Sequence, residues 1–367
     1  MKIPEFILEH VALAPMTTIR IGGTARFLAR CRTIEQVKEG LEWAAQYNLP
    51  VQVLGAGSNI LFDDRGFEGL VLKLELRGTV TDRRRDIAEI SVCAGEVWDS
   101  FVKDCVDADL TGIECLSGIP GMVGATPMQN VGAYGQEVAT TILSVRGIDR
   151  HTLKDVEFGN EDCCFHYRSS RFKNQDRNRF LITEVVYRLQ VGTKPNLKYT
   201  ELVDYLAARG GLDSLDPGAP TSSVIRAAVL ALRRRKSMIV DENDPNSCSV
   251  GSFFLNPVLT LAELEVFKQR CSYEIVESSA SIPVFPDPNG YKVSAAWLVE
   301  RAGFCKGYVL GGAAISENHA LAFVNRGGGS EDILRLASMV QEKVKECFDI
   351  SLEREAVVVV ADGSLYD

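Results

Sequence analysis

Residues 117–138, SGIPGMVGATPMQNVGAYGQEV, constrain the fold more tightly than any other part of the chain. Five glycines (Gly118, Gly121, Gly124, Gly132, Gly135) and two prolines (Pro120, Pro127) stand there among small and apolar residues, and Glu137 is the one charged side chain. A surface linker carries more charge, so this backbone is expected to fold closely against something. Glycine tolerates positive φ and lets bare amide N–H groups approach a partner, which is what cradling a phosphate chain requires. On the residues alone two readings stay open: main chain holding a cofactor pyrophosphate, or a buried, tightly turned loop with no ligand.

At 367 residues the chain has the length for two or three domains and an ample core. With 46% hydrophobic and 24% charged residues it is expected to be ordered and globular. A net charge of −9 speaks against a nucleic-acid groove or an anionic membrane surface as the main partner. The basic run at 83–85 reads as a solvated turn. No apolar run approaches the ~20 residues of a membrane span. Residues 1–15 lack the layout of a secretion signal, so a cytoplasmic protein is expected. Ten cysteines without a CxxC pair read as reduced, mostly small core residues, and with four scattered histidines they form no zinc-type cluster; no metal is expected.

In chain order, the spacing of Ile34, Val37, Leu41 and Ala44 predicts an amphipathic helix over 34–47, with Thr33 and Gln36 as a capping box. A buried strand over 51–54 then runs into Gly55-Ala56-Gly57-Ser58-Asn59. A strand feeding GxG suggests a Rossmann turn, but the third glycine and the immediate helix are missing. What survives is a second phosphate grip built from glycine amides, the Ser58 hydroxyl and the Asn59 amide. Further strands are expected over 70–74, 87–93, 141–148 and 181–189, and a helix from 98 to 106. The loop 165–173 interleaves aromatic and basic side chains, as a nucleotide-stacking surface or an exposed hairpin edge does. Residues 197–208 form a candidate helix, 210–221 a linker, and Ser222 or Ser223 caps a helix over 224–235. Its basic end (Arg233, Arg234, Arg235, Lys236) suits the helix dipole.

Downstream, Ser252 sits where a strand turns toward Asn256 and Pro257 beside Phe253 and Phe254. It has no neighbouring base of the GxSxG kind, which leaves a proton-donating hydroxyl or an ordinary turn serine. Helices are expected over 293–302 and, capped by Ser330, over 331–348, with strands at 307–314, 321–324 and 356–360. Glu355 precedes the apolar run AVVVV; it is either a strand-end charge or a carboxylate whose burial favours the protonated acid.

Taken together, GAGSN at 55–59, the glycine stretch, YRSSRFK at 167–173, GSFFLNP at 251–257 and LERE at 352–355 resemble, in order and approximate spacing, the UDP-N-acetylenolpyruvoylglucosamine reductase (MurB) family of flavoenzymes in peptidoglycan synthesis. The resemblance implies an α+β fold: an FAD-binding module of the PCMH/vanillyl-alcohol-oxidase type in two subdomains (1–75 and 76–228), a separate α+β substrate-binding domain (229–348), and a C-terminal strand (349–367) returning to the FAD-binding lobe. It implies an FAD-dependent oxidoreductase that reduces UDP-N-acetylglucosamine enolpyruvate to UDP-N-acetylmuramate with NADPH, as a cytoplasmic monomer. By the same resemblance Gly55, Ala56, Gly57, Ser58 and Asn59 hold non-covalent FAD together with Gly118, Ile119, Pro120, Gly121, Gly124, Ala125, Gln129, Asn130, Gly132, Ala133, Tyr134 and Gly135. Arg168, Ser252 and Glu355 match the catalytic positions. Tyr167, Tyr199, Lys236, Asn256 and Lys292 match substrate contacts, and Lys236 places the basic helix end at the UDP diphosphate. An electron-rich enolpyruvyl ether accepts hydride only if its carboxylate is clamped electrophilically, the part implied for Arg168 and a protonated Glu355, with Ser252 supplying the final proton. Two positions depart from the family pattern: Ser169 stands where Asp is common, and Leu255 where Lys is common.

Overall fold

The structure, a computed structural model, describes residues 2–192, 197, 199–210, 221–274 and 282–363. The linker expected over 210–221 lies outside them apart from its two ends. The fold is α+β, and the chain divides into two units. The first comprises Met1–Val11, Ala25–Ala56 and Glu68–Ile239; the second comprises Ala12–Thr24, Gly57–Phe67 and Val240–Asp367. Residues 12–24 and 57–67, expected in an N-terminal subdomain over 1–75, therefore group with the C-terminal half.

Within the first unit, the strands Ile7–Ala12, Thr24–Cys31, Phe67–Leu74 and Val51–Leu54 lie side by side in that order. The helix Ile34–Gln46 buries Val37, Leu41, Trp43 and Ala44 in a core shared with Phe27, Leu70 and Leu72. At its N-terminus Thr33 caps as expected, its Oγ1 accepting from the Gln36 N–H at 3.2 Å, while Gln36 Oε1 reaches one residue beyond the cap that a capping box would meet and accepts from the Arg32 N–H at 2.8 Å. An antiparallel sheet follows, ordered Asp155–Gly159, Ile142–Asp149, Phe180–Val191, Ile87–Cys93 and Thr79–Arg83. The helix Trp98–Asp107 packs Trp98, Phe101, Val102 and Cys105 with Tyr187 and Val185 from that sheet. Thr221–Arg235 and Thr200–Ala207 share a third core with Cys115. Ser222 and Ser223 lie within the former and do not cap it from outside.

The second unit has a four-stranded sheet, Ser249–Ser252, Ala322–Asn325, Ala313–Ile315 and Val309–Leu310, and a smaller sheet of Val258–Leu259, Gly290–Val293 and Val284–Asp287. The helices Leu261–Glu274, Ala295–Arg301 and Ser330–Phe348 pack with these through Phe253, Phe323, Leu298, Val340 and Phe348. Ser330 is the first residue of its helix, after Gly329 as N-cap, so it does not cap the helix itself. The exposed N–H groups are met from far along the chain: Asp64 Oδ2 accepts from the Ser330 N–H at 2.7 Å and from its hydroxyl at 3.0 Å. The terminal strand Val357–Val359 runs parallel to Ile60–Phe62 inside this unit.

Candidate active site

In the first unit the early part of the glycine stretch is laid down largely by main chain. Trp98 N–H donates to Gly121 O (3.1 Å), Val123 N–H to Glu96 O (2.9 Å) and Gly124 N–H to Ala94 O (2.9 Å), so 121–124 docks along 94–98. A Cβ on Gly124 would lie 2.5 Å from the Ala94 Cβ, which is why only glycine fits there. Trp98 Nε1 adds a bond to Leu116 O at 3.0 Å. The Gly118 N–H donates to Asp99 Oδ1 at 2.6 Å, and both Asp99 oxygens accept from Arg226 at 2.6 and 2.9 Å. Burial pushes the Asp99 carboxyl up, but the Arg226 guanidinium and the Gly118 N–H outweigh it and hold it below the usual carboxylate range.

The second half of the stretch closes on the Tyr167-Arg168 loop. Asn130 is buried; its Oδ1 accepts from Ala139 N–H (3.0 Å), and its Nδ2 donates to Glu137 Oε2 (2.8 Å) and to His166 O (3.1 Å). The Arg168 guanidinium donates to the carbonyls of Gly132 and Asn130 and lies 5.4 Å from the Tyr167 ring centre. Asn130, Tyr134 and Arg168 all carry positive φ (46°, 49° and 49°), a concentration of left-handed backbone that side-chain ties must hold. Lys173 Nζ donates to Arg168 O at 3.0 Å. At the departure from the family pattern, Ser169 Oγ accepts from Asn174 Nδ2 at 2.6 Å.

Tyr199 sits at the N-cap of Thr200–Ala207, 43% exposed, with its ring edge-on to Tyr134 at 5.4 Å. Burial pushes the Tyr134 hydroxyl up to about 12. Lys236 Nζ pairs with Glu201 Oε2 at 2.6 Å, so this expected diphosphate cation bridges two helices. The four basic residues at the helix end have separate surroundings: Arg233 is buried, and Arg235 lies 5.0 Å from the Tyr205 ring centre. At the other loop, the Lys73 ammonium donates to Gly55 O at 2.8 Å, and burial holds it below the usual lysine range.

In the second unit, Ser252 ends its strand at a bulge: Ser249 pairs with Val324 and Ser252 with Ala322, and Gly251 takes φ 79°. The chain then pairs antiparallel with the LERE segment. Phe254 bridges Arg354, Glu355 N–H donates to Phe253 O at 2.8 Å, and Leu255 N–H donates to Glu353 O at 2.9 Å. This pairing sets Glu355 opposite Phe253, the residue that follows Ser252, while Ser252 itself pairs with Ala322. Phe253 stacks on Phe323 with centroids 4.9 Å apart, fixing the ribbon from beneath. Asn59 Nδ2 donates to Glu355 O at 3.1 Å, and Val357 N–H donates to Asn59 O at 3.0 Å. The GAGSN loop thus steers Glu355 as well, a role for Asn59 that no local sequence signal announces. Gly57 takes φ 68°, and a Cβ there would run into the Met16 carbonyl. Asn256 Oδ1 accepts from Ala295 N–H at 2.8 Å, at the start of a helix, and Lys292 pairs across strands with Val258 and Phe285. Among the described residues no group of three or more His, Cys, Asp or Glu is placed to hold a metal ion, and no helix is long and apolar enough to cross a membrane.

Residues 25–151 match the family described as FAD binding domain, and residues 244–359 match the UDP-N-acetylenolpyruvoylglucosamine reductase C-terminal domain. Proteins named UDP-N-acetylenolpyruvoylglucosamine reductase are 40% identical to the chain in Streptomyces coelicolor (98% of this chain, 93% of that one), Thermobifida fusca (96% and 97%) and Mycobacterium tuberculosis (96% and 95%). The crystal structure of the Thermus caldophilus protein of that name superposes with a TM-score of 0.62 at 24% identity, covering 96% of this chain and 99% of the other, which establishes likeness of fold. With that identity sustained over almost its whole length, the chain belongs to the UDP-N-acetylenolpyruvoylglucosamine reductase family.

Proposed function

We propose that the chain reduces the vinyl group of UDP-N-acetylglucosamine enolpyruvate to give UDP-N-acetylmuramate, with NADPH as electron donor, as a monomer in the cytoplasm. The observation that carries this reading is the antiparallel pairing of 253–255 with 353–355, which joins the segment that follows Ser252 to the segment that holds Glu355 from distant parts of the chain. Bound FAD supplies the hydride relay between the two substrates. The residues at hand suit its diphosphate: the 55–59 turn offers glycine main chain, a hydroxyl and an amide, holds no acidic side chain, and has the Lys73 ammonium on its first carbonyl.

Arg168 is assigned to the substrate carboxylate, where its charge stabilises the negative charge that builds as the double bond is reduced. Glu355, protonated, shares that task. Ser252 delivers the proton to the neighbouring carbon, a contribution of typically ~10²–10⁴ in rate. Tyr167, Tyr199, Lys236, Asn256 and Lys292 are assigned to the sugar nucleotide. The Lys236 to Glu201 and Asn256 to Ala295 bonds are those that substrate would exchange or adjust. The test is direct: purified protein is given NADPH with and without the enolpyruvyl substrate, and absorbance at 340 nm is followed. Substrate-dependent NADPH consumption supports the reading. Oxygen uptake with an alcohol or sugar, and indifference to the enolpyruvyl ether, would overturn it.

A further inference from the structure

Arg233 lies in the last turn of Thr221–Arg235, yet it is only 8% exposed. Its Nη2 donates to Met238 O at 2.6 Å, while its Nε is buried with no hydrogen-bond partner among the described residues. A guanidinium stays charged in proteins, and leaving one of its N–H groups buried and unpaired forfeits its hydration without a hydrogen bond in return. A purely structural arginine is expected to have its donors satisfied.

The orphan group faces the glycine stretch. A Cβ built on Gly118 would come within 3.4 Å of both Arg233 Cδ and Nε, so the bare glycine and the guanidinium form adjoining walls. The nearest balancing carboxylate is already committed, since both oxygens of Asp99 bind Arg226 and one also takes the Gly118 N–H. Two guanidinium groups therefore share one carboxylate beside main chain that carries no charge of its own, leaving net positive charge in a poorly solvated place. Lys236, one turn further on, is matched by Glu201 and adds no surplus. Burial holds the Arg233 guanidinium below its usual range, with Tyr134 and Asp99 opposing the shift.

We propose that Arg233 is an anion-binding residue whose Nε–H takes a phosphate oxygen of one of the two diphosphates that the reductase reading requires, that of FAD or that of the sugar nucleotide. The inference rests on that reading, and the test separates the two. The variants R233Q and R233K are prepared as flavin-loaded protein. Release of FAD on dilution is followed by flavin fluorescence, and binding of UDP-N-acetylglucosamine is measured by calorimetry. R233Q is expected to weaken one of the two by about tenfold, the worth of one charge-assisted hydrogen bond. R233K keeps the charge but lacks the Nε donor; it is expected to fall between R233Q and the parent, about threefold weaker than the parent, and it decides the matter alone where R233Q fails to fold. Faster FAD release assigns the cofactor diphosphate, and weaker sugar-nucleotide binding assigns the other. Both affinities within twofold of the parent, whatever the melting temperature, would overturn the proposal. A parent protein that bound neither ligand would overturn the reductase reading, and this inference with it.

Discussion

Arg168 and the Ser252–Glu355 pair are positioned by opposite means. Arg168 sits on a left-handed residue in a loop, and what holds it is a set of side-chain bonds: its own guanidinium on Gly132 and Asn130, Asn130 on His166 and Glu137, and Lys173 on its carbonyl. Ser252 and Glu355 are held by backbone, through a bulged strand and a short ladder over a stacked phenylalanine pair. Backbone positioning fixes a residue without using its side chain and tolerates that side chain's replacement. Side-chain positioning ties structure and function to the same atoms.

Substitutions can break or sharpen that contrast. The largest effect is expected for Ser252→Ala: turnover with NADPH and enolpyruvyl substrate falls by ~10²–10⁴ while bound flavin and melting temperature stay at parental levels. A large loss of stability would show that the ladder depends on the hydroxyl after all. Gly57→Ala combines positive φ with a collision against the Met16 carbonyl and is expected to destabilise by about 3 kcal/mol or more in denaturant unfolding. Asn130→Ala removes three partly buried bonds and is expected to cost about 1–3 kcal/mol, with kcat/KM falling in parallel because the Arg168 loop loosens. Parental kcat/KM would separate that loop from the chemistry.

Asn59→Ala, on the ladder side, removes one strut on Glu355 while its N–H stays bonded to Phe253. About 1 kcal/mol and a modest drop in kcat are expected, measured by unfolding and steady-state rates. The smallest effect concerns acid. The Asp99 carboxyl is held below its unfolded value, so its contribution is complete above about pH 4 and is lost as pH falls through the folded value. Melting temperature from pH 5 to pH 3 should therefore fall less steeply in Asp99→Asn than in the parent.

Periodicity and turn chemistry made much of this legible in advance. The helices over 34–46, 98–107 and 330–348 follow their apolar spacing, and the Thr33 cap forms as the TIEQ sequence implies. Leu261–Glu274 went unread because Leu261 and Val266 on it face solvent and blur the apolar face. Side-chain fates were harder still. The Asn59 bond to the Glu355 carbonyl has no local signal, and Ser330, a cap by its sequence, is itself bound by Asp64.

What the amino-acid order determined by itself was local: where helices begin, where glycine permits positive φ, and which ordered motifs mark the family. Those depend on interactions within a few residues, which a linear reading samples directly. Only the tertiary structure decided that Ser252 pairs with Ala322 and Glu355 with Phe253, that Arg226 has a carboxylate for both its bonds, and that the Arg233 Nε has no partner among the described residues. Pairing of charges and donors is settled by neighbours far away in sequence, because burial forces each polar group to find whichever partner packing brings within reach.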